Sequence, residues 1–415
     1  MTQILKDRQF YKFCSYGFLK NLRFFDPFIV LFFREMGLTF LEIGILFSIR
    51  EVSTNILEIP TGILADSYGR RKSMIFSFIS YIVSFLIFYF FPTFTYYAVA
   101  MIFFASGEAF RTGTHKAMIL QYLKIKGIEN TKVEYYGRTR GCSKLGSALS
   151  SLIAALLVFY SGSFRIVFIA STVPYIAELF LMMSYPKSLD GTRETKYKGV
   201  FKNAFYQIKI TLVDFISIFK NKKSLIALLN SSTFDSVFKT TKDYLQPILK
   251  IYALSLPLLI GYSENQRTAV LSGLVFFLLY LLTSFASIHA GDFSRKFKTL
   301  PKALNITYLL GGVLLIFAGF FLKLSVNSAA IVLFILFYML QNSRRPINIG
   351  YISELISHKI MATGLSGESQ LKTILLAVFA PLIGFFADRY GVSNALIIFG
   401  IFYFAMFPLL KISRN

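Results

Sequence analysis

Apolar residues fall along this chain in blocks, not at alternate positions or in heptads. Blocks of roughly twenty, long enough to cross a hydrocarbon layer about 30 Å thick, recur from end to end between short polar turns. Apolar length and turn residues predict twelve helical spans. Six fall near 12–34, 40–62, 73–92, 96–121, 139–160 and 165–185, and six near 224–249, 266–289, 302–323, 328–352, 364–386 and 393–411. The one long polar stretch, residues 186–223, separates an amino-terminal set (1–185) from a carboxy-terminal set (224–415). Within this connector Phe201, Phe205, Ile208, Leu212 and Phe215 recur at helical spacing, with Lys202 and Lys209 elsewhere on the wheel. That spacing predicts an amphipathic helix on the membrane surface. The expected class is an all-α polytopic membrane protein.

Composition agrees. The 415 residues are 55% hydrophobic, with a mean hydropathy of +0.59, whereas soluble domains hold about 45–50% apolar residues. The net charge of +23 would suit nucleic acid, but the cations are spread over short loops and the connector. Arg70-Arg71-Lys72, Lys124 to Lys132, the connector and Arg295-Lys296-Lys298 alternate to one side, while the turns at Phe91–Thr95 and Ser161–Ser163 are nearly uncharged. This positive-inside pattern predicts a multi-pass protein of the inner (plasma) membrane with both termini cytoplasmic. Nucleic acid is not an expected partner; the lipid bilayer is. The first apolar stretch carries Lys20, Arg23 and Asp26 and lacks a small-residue cleavage site, so no cleavable signal is expected. Without Trp, Tyr and Phe must supply the interfacial belt.

Catalytic constellations are missing from the sequence. Two cysteines, Cys14 and Cys142, make neither a disulfide framework nor a metal site. No phosphate loop, His-rich spacing or nucleophile elbow stands out. No enzyme activity, cofactor or metal is expected.

Between the second and third spans lies Gly62-Ile-Leu-Ala-Asp66-Ser-Tyr-Gly69-Arg70-Arg71-Lys72. A helix end, a glycine turn, one acid and a basic cluster are what two membrane helices joined by a short cytoplasmic loop require. The spelling resembles the loop signature of the major facilitator superfamily, in the same place. An eroded copy, Ala290-Gly-Asp292-Phe-Ser-Arg295-Lys296, follows the eighth span. Gly384-Phe-Phe-Ala-Asp388-Arg389-Tyr-Gly391 looks similar but falls on the outer side, where it is a turn and helix end. The resemblance implies twelve transmembrane helices in two parallel six-helix bundles related by an axis along the membrane normal. It also implies a monomer working by alternating access, with Gly62, Asp66, Gly69, Arg70 and Arg71 as a cytoplasmic latch. Within that latch, Gly62 would allow close packing, Asp66 would accept from a helix amino terminus, and the arginines would bind carboxylates or helix carboxyl ends.

Charges inside spans are costly, so they face a cavity or each other. In the first span Arg23 and Asp26 stand three residues apart on one face, before Pro27. Either they form a structural ion pair, or Asp26 takes up a proton during transport. Arg50 and Glu51 are adjacent and point about 100° apart, which favours partners on other helices. In the fourth span Glu108, Arg111 and His115 share a face, and Gly107 and Gly113 allow close packing. His115 is expected near the cytoplasmic interface. Arg138, Arg140 and Lys144 open the fifth span and can snorkel to the surface, with small residues such as Gly146 as packing positions. Asp235 and Lys239 can pair at i, i+4 in the seventh span. Arg344 and Arg345 lie beside Gln341 and Asn342 in the tenth, and guanidinium groups suit carboxylate or phosphate.

In facilitators the first, fourth, seventh and tenth helices line the central cavity. The resemblance therefore assigns Arg23, Asp26, Glu108, Arg111, Asp235, Lys239, Arg344 and Arg345 to it. Bases outnumber acids in this set, which points to a negatively charged solute. The expectation is a secondary active transporter of a small anionic organic solute, coupled to protons. Asp26 and Glu108 would carry protons, and Arg23, Arg111, Asp235, Lys239, Arg344 and Arg345 would meet the solute. The alternative is proton-driven efflux of drugs or amphipathic compounds, suggested by 47 Phe, although the fifth span lacks the Gly-Pro-Gly-Gly-like motif usual in drug antiporters. A non-transporting membrane sensor or lipid-handling protein would need none of the cavity arginines.

Overall fold

The structure, a computed structural model, describes residues 6–191, 222–355 and 361–413, with only the backbone for 361–365. The amphipathic segment expected at Phe201 to Phe215 lies outside the described residues. Those described are helical, without a strand. In chain order the helices are α1 (Arg8–Lys20), α2 (Ile29–Glu35), α3 (Phe40–Tyr68), α4 (Arg70–Phe90), α5 (Phe94–Arg111), α6 (Thr114–Ile125), α7 (Lys132–Ser161) and α8 (Ile166–Met183). After the connector come α9 (Lys222–Thr241), α10 (Leu245–Ser255), α11 (Glu264–Ile288), α12 (Ala290–Arg295), α13 (Leu300–Lys323), α14 (Asn327–Leu355), α15 (Met361–Ala405) and α16 (Phe407–Leu410). Helix falls at each of the twelve predicted spans.

Several spans are broken, and the breaks have local causes. The first is helical only as α1 and α2, and residues 21–28 between them form turns. Pro27 brings no N–H to that stretch, and Asn21 turns its amide back onto the Gly17 carbonyl at 2.6 Å. Arg23 and Asp26 therefore stand on unwound backbone, not on one helix face as expected. The fourth span breaks at Gly113, whose φ of +77° is left-handed. This glycine meets nothing within 4 Å, so it serves the break and not the close packing expected of it. His115 consequently starts a new helix. In α15 a left-handed Gly391, φ +82°, separates the eleventh and twelfth spans.

Six helices among the described residues are long and apolar enough to cross a membrane by length and composition, and they supply spans three, five, six, eight, nine, eleven and twelve. The first, second, fourth, seventh and tenth spans fall outside that set, and each carries charged residues.

The chain divides into two compact units. One holds the described residues of Met1–Ile29 and Ser53–Ile208; the other holds Val30–Val52 and those of Lys209–Asn415. In the first, α1 crosses α7 where Gly17 faces Ser143, and a side chain at Gly146 would overlap the Phe18 carbonyl. Asp7 caps α1 through the Phe10 amide at 3.0 Å and accepts from the Tyr122 hydroxyl at 2.6 Å. In the second, the start of α3 is sealed by a reciprocal Thr39–Glu42 box. Asp388 adds bonds from the Phe40 and Leu41 amides at 2.9 and 2.8 Å. The Gly-x-x-x-Asp turn that ends the eleventh span is therefore a helix cap. Beside it Gly44 lies on the Ala380 carbonyl and Gly384 on the Phe40 carbonyl, leaving no space for a Cβ.

These glycines make a matched prediction. Gly44→Val should cost about 1–3 kcal/mol, the usual range for overpacking. Gly62, inside α3 with nothing within 4 Å, should gain about 0.5–1 kcal/mol as Gly62→Ala from helix propensity. Thermal unfolding of the two variants in one detergent checks both signs.

Candidate functional site

In the first unit, Arg23 of the unwound segment donates from Nη2 to Glu108 Oε1 at 2.6 Å. The other oxygen of Glu108 accepts from Arg111 Nη2 on the same helix. Arg111 also donates from Nε to the Tyr81 hydroxyl at 3.2 Å, and the Tyr81 ring packs against Gly107, where a Cβ would sit 2.9 Å from it. The Arg23 guanidinium lies over Phe25 and Phe104, at 5.6 and 5.4 Å from their centroids. One carboxylate thus bridges two guanidiniums from spans one and four. The i, i+3 pairing of Glu108 with Arg111 is as the sequence suggests; the bridge to Arg23 is the addition.

Arg111 also borders a cavity of about 340 Å³ between α1, α6 and α7. Its cationic walls are Lys20, Arg111, Lys116, Arg140 and Lys144, with His115 and the polar groups of Asn21, Thr139, Ser143 and Ser147. No carboxylate is among the described lining residues. Lys116 and Arg140 both lie over the Tyr136 ring, at 5.7 and 5.8 Å. His115 stacks on Tyr16 with centroids 3.5 Å apart and faces the Tyr185 hydroxyl at 3.3 Å. It is buried. Lys20, Lys116, Arg140 and Lys144 fall outside the residues assigned to the cavity from sequence. Arg140 and Lys144 read there as snorkelling residues, and their one-turn spacing on α7 was the available signal.

Glu178 also escapes a sequence reading focused on the first, fourth, seventh and tenth spans. It is the one charged residue within α8, and it is fully buried.

The loop motif is built differently from expectation. Gly69 is left-handed, φ +100°, and starts α4. The acid that caps this helix is Asp190, beyond the sixth span, accepting from the Arg71 amide at 2.8 Å. Asp66 is exposed, and Gly62 faces open space instead of a packed neighbour. Arg70 donates to the Ala117 carbonyl at 3.4 Å and Arg71 to the Tyr185 carbonyl at 3.2 Å. The Tyr185 carbonyl lies just beyond the carboxyl end of α8, whereas Ala117 lies in the first turn of α6, so Arg71 meets a helix carboxyl end and Arg70 does not.

In the second unit the charges form their own sets. Glu51 accepts from Lys239 at 2.9 Å and from its neighbour Arg50 at 3.1 Å. Arg50 and Glu51 therefore do pair, because long side chains can converge from adjacent positions. Asp235 does not pair with Lys239 along the helix. It accepts from Gln341 at 2.8 Å and Lys372 at 3.4 Å. Arg344 is buried and donates to the Leu304 carbonyl, Thr307 Oγ1 and Asn230 Oδ1, each at 2.5 Å, above the Phe234 ring. Its Nη donors meet neutral protein acceptors, and the bonds tie α14 to α9 and α13. Arg345 is exposed. Glu368 accepts from Ser231 and from Asn348 at 3.1 Å.

The model of the Major Facilitator Superfamily matches residues 13–367 of this chain. No curated protein matches it in sequence. Among solved structures, the nucleoside transporter NupG is 12% identical with a TM-score of 0.72, covering 97% of this chain and 96% of that one. A POT family transporter in complex with 5-aminolevulinic acid is 14% identical with a TM-score of 0.69, covering 98% and 95%. A peptide transporter POT in complex with sulfate is 13% identical with a TM-score of 0.68, covering 97% and 94%. At these identities the likeness is one of fold.

Asp190, and not Asp66, should govern the loop's contribution to stability. Asp190→Ala should cost about 1 kcal/mol, the usual loss for a helix cap. Asp66→Ala, on an exposed position, should stay within about 0.5 kcal/mol. Parallel melting curves separate the two.

Proposed function

Because the chain belongs to the Major Facilitator Superfamily, a family of multi-pass membrane transporters, we propose that it carries small organic anions by proton-coupled secondary transport, holding them in the basic cavity of its first unit. The single observation behind the anion is that cavity. Five cations and four neutral polar side chains line it, without a described carboxylate. Clustered cations at a low-dielectric wall repel one another, and a ligand with negative charge relieves that repulsion. Lysine ammoniums, two guanidiniums and hydroxyl donors together match the several acceptor oxygens of a carboxylate or phosphate group. The volume of about 340 Å³ lies at the small end of ligand pockets, which run from about 300 to 1,000 Å³.

Coupling in this reading works through partner exchange. Arg111 is shared between the cavity wall and Glu108. An arriving anion competes with Glu108 for that guanidinium, and the freed carboxylate retains Arg23. Such an exchange gives the ligand different affinity for two arrangements, which a population shift requires. Asp26 stands beside Arg23 in the same unwound segment, where its negative charge acts on that guanidinium. In the second unit, Asp235, Lys239 and Arg344 are placed by protein partners as internal anchors of their spans. The carbonyl bonds of Arg70 and Arg71 suit a latch that holds the cytoplasmic side in one state. The chain is proposed to act as a monomer in the inner (plasma) membrane, with both termini cytoplasmic.

The test is counterflow in proteoliposomes loaded with glycerol 3-phosphate or succinate, with tetraphenylphosphonium as the cationic comparison. Exchange of an anion is expected, and exchange of the cation alone would overturn the reading. Arg140→Gln should weaken the anion's apparent affinity at least about tenfold, since a charge-assisted hydrogen bond contributes about 1.5–3 kcal/mol.

A further inference from the structure

We propose that Glu178, on a span outside the expected cavity helices, is the carboxyl that takes up and releases the coupled proton. The inference rests on the proton-coupled reading above and assigns its acid. Two buried acids of the first unit have opposite surroundings. Glu108 is enclosed by Arg23 and Arg111, each bonded to one of its oxygens. Glu178 has no exposed surface, and neither of its carboxylate oxygens meets the geometry of a formed hydrogen bond with a described residue. The Lys20 backbone N–H is the donor directed toward it, and the Lys20 ammonium and Arg111 act on it from a distance. A carboxylate can stay ionised in a dry interior only with donors and a counter-charge in contact. Glu108 has both; Glu178 as it stands has neither, and a neutral acid fits its site.

The surrounding groups connect this acid to the anion cavity. From α1, Tyr16 and Lys20 face it; from α5, Arg111 does. Tyr185 follows just beyond α8, and its hydroxyl meets His115 of α6 at 3.3 Å. On α4, Tyr81 packs against Tyr175, one turn before Glu178, with ring centroids 5.2 Å apart, and Arg71 reaches the Tyr185 carbonyl. On α7, Lys144 borders the cavity that Lys20, Arg111 and His115 also line. Lys20 and Arg111 thus serve the cavity and Glu178 together. With an anion in the cavity, both cations are drawn toward it, and the acid is best neutral. With the cavity empty, Lys20 can turn to Glu178, and the proton leaves as the ion pair forms. Anion and proton are then bound together and released together, as symport requires.

The experiment has two arms on the full chain in liposomes. Infrared difference spectra over a pH cycle should show the carbonyl band of a buried protonated carboxylic acid. Glu178→Gln should abolish that band and Asp26→Asn should leave it. A band that survives E178Q and disappears in the Asp26 variant overturns the assignment. Should E178Q fail to fold, Glu178→Asp keeps a titrating group and should shift the band; an unshifted band would also overturn it. In the transport arm, with glycerol 3-phosphate or succinate as probe, the ratio of pH-driven accumulation to exchange should fall in E178Q by about tenfold, the equivalent of one pH unit of driving force. A wild-type chain that exchanges neither anion would defeat the transport reading, while the infrared arm would still decide the acid.

Discussion

A carboxylate held between two guanidiniums is the interaction on which the first unit depends. Glu108 receives Arg23 from unwound backbone of the first span and Arg111 from the last turn of α5. Without it, Arg111 would lose its bonded carboxylate and Arg23 would keep only the neighbouring charge of Asp26, and breaking such a buried pair costs about 3–5 kcal/mol. With it, the first span can interrupt its helix at residues 21–28, because the charges exposed there have a fixed partner. The same clamp holds one face of Arg111 at the wall of a cavity otherwise lined by cations. Structure and proposed function therefore share a single group.

The second unit meets the same requirement with other means. Lys239 and Arg50 share Glu51, Gln341 and Lys372 share Asp235, and Arg344 is satisfied by neutral acceptors from α9 and α13. Each set ties helices together through polar groups that a hydrocarbon surrounding would otherwise penalise. One helix start in each unit uses the same device. An acid from elsewhere in the chain, Asp190 at α4 and Asp388 at α3, accepts the first free amides. In each case a glycine with left-handed backbone stands near the junction, Gly69 in one and Gly391 in the other.

Hydropathy and turn residues made the spans legible, because a bilayer imposes a length on every apolar block. Pro27 and Gly113 marked places where helices break, although Gly113 read as a packing residue until its φ was known. Local charge pairs such as Glu108 with Arg111 were visible from their spacing. Pairs across helices were not: Lys239 finds Glu51 far away in sequence, and Asp235 turns from Lys239 to Gln341. Periodicity gives a residue's face but not what stands opposite. Asp66 looked like the cap because it belongs to the motif, while Asp190 lies outside it. Glu178 is a related case: a single acid in an apolar run signals either function or cost, and its sequence context does not say which.

The central claim is that the basic pocket between α1, α6 and α7 is an oxyanion site. Anomalous scattering from crystals soaked in selenate tests it most directly. The account predicts a selenium peak beside Lys20, Arg140 and Lys144. A pocket without such a peak at saturating selenate would contradict it.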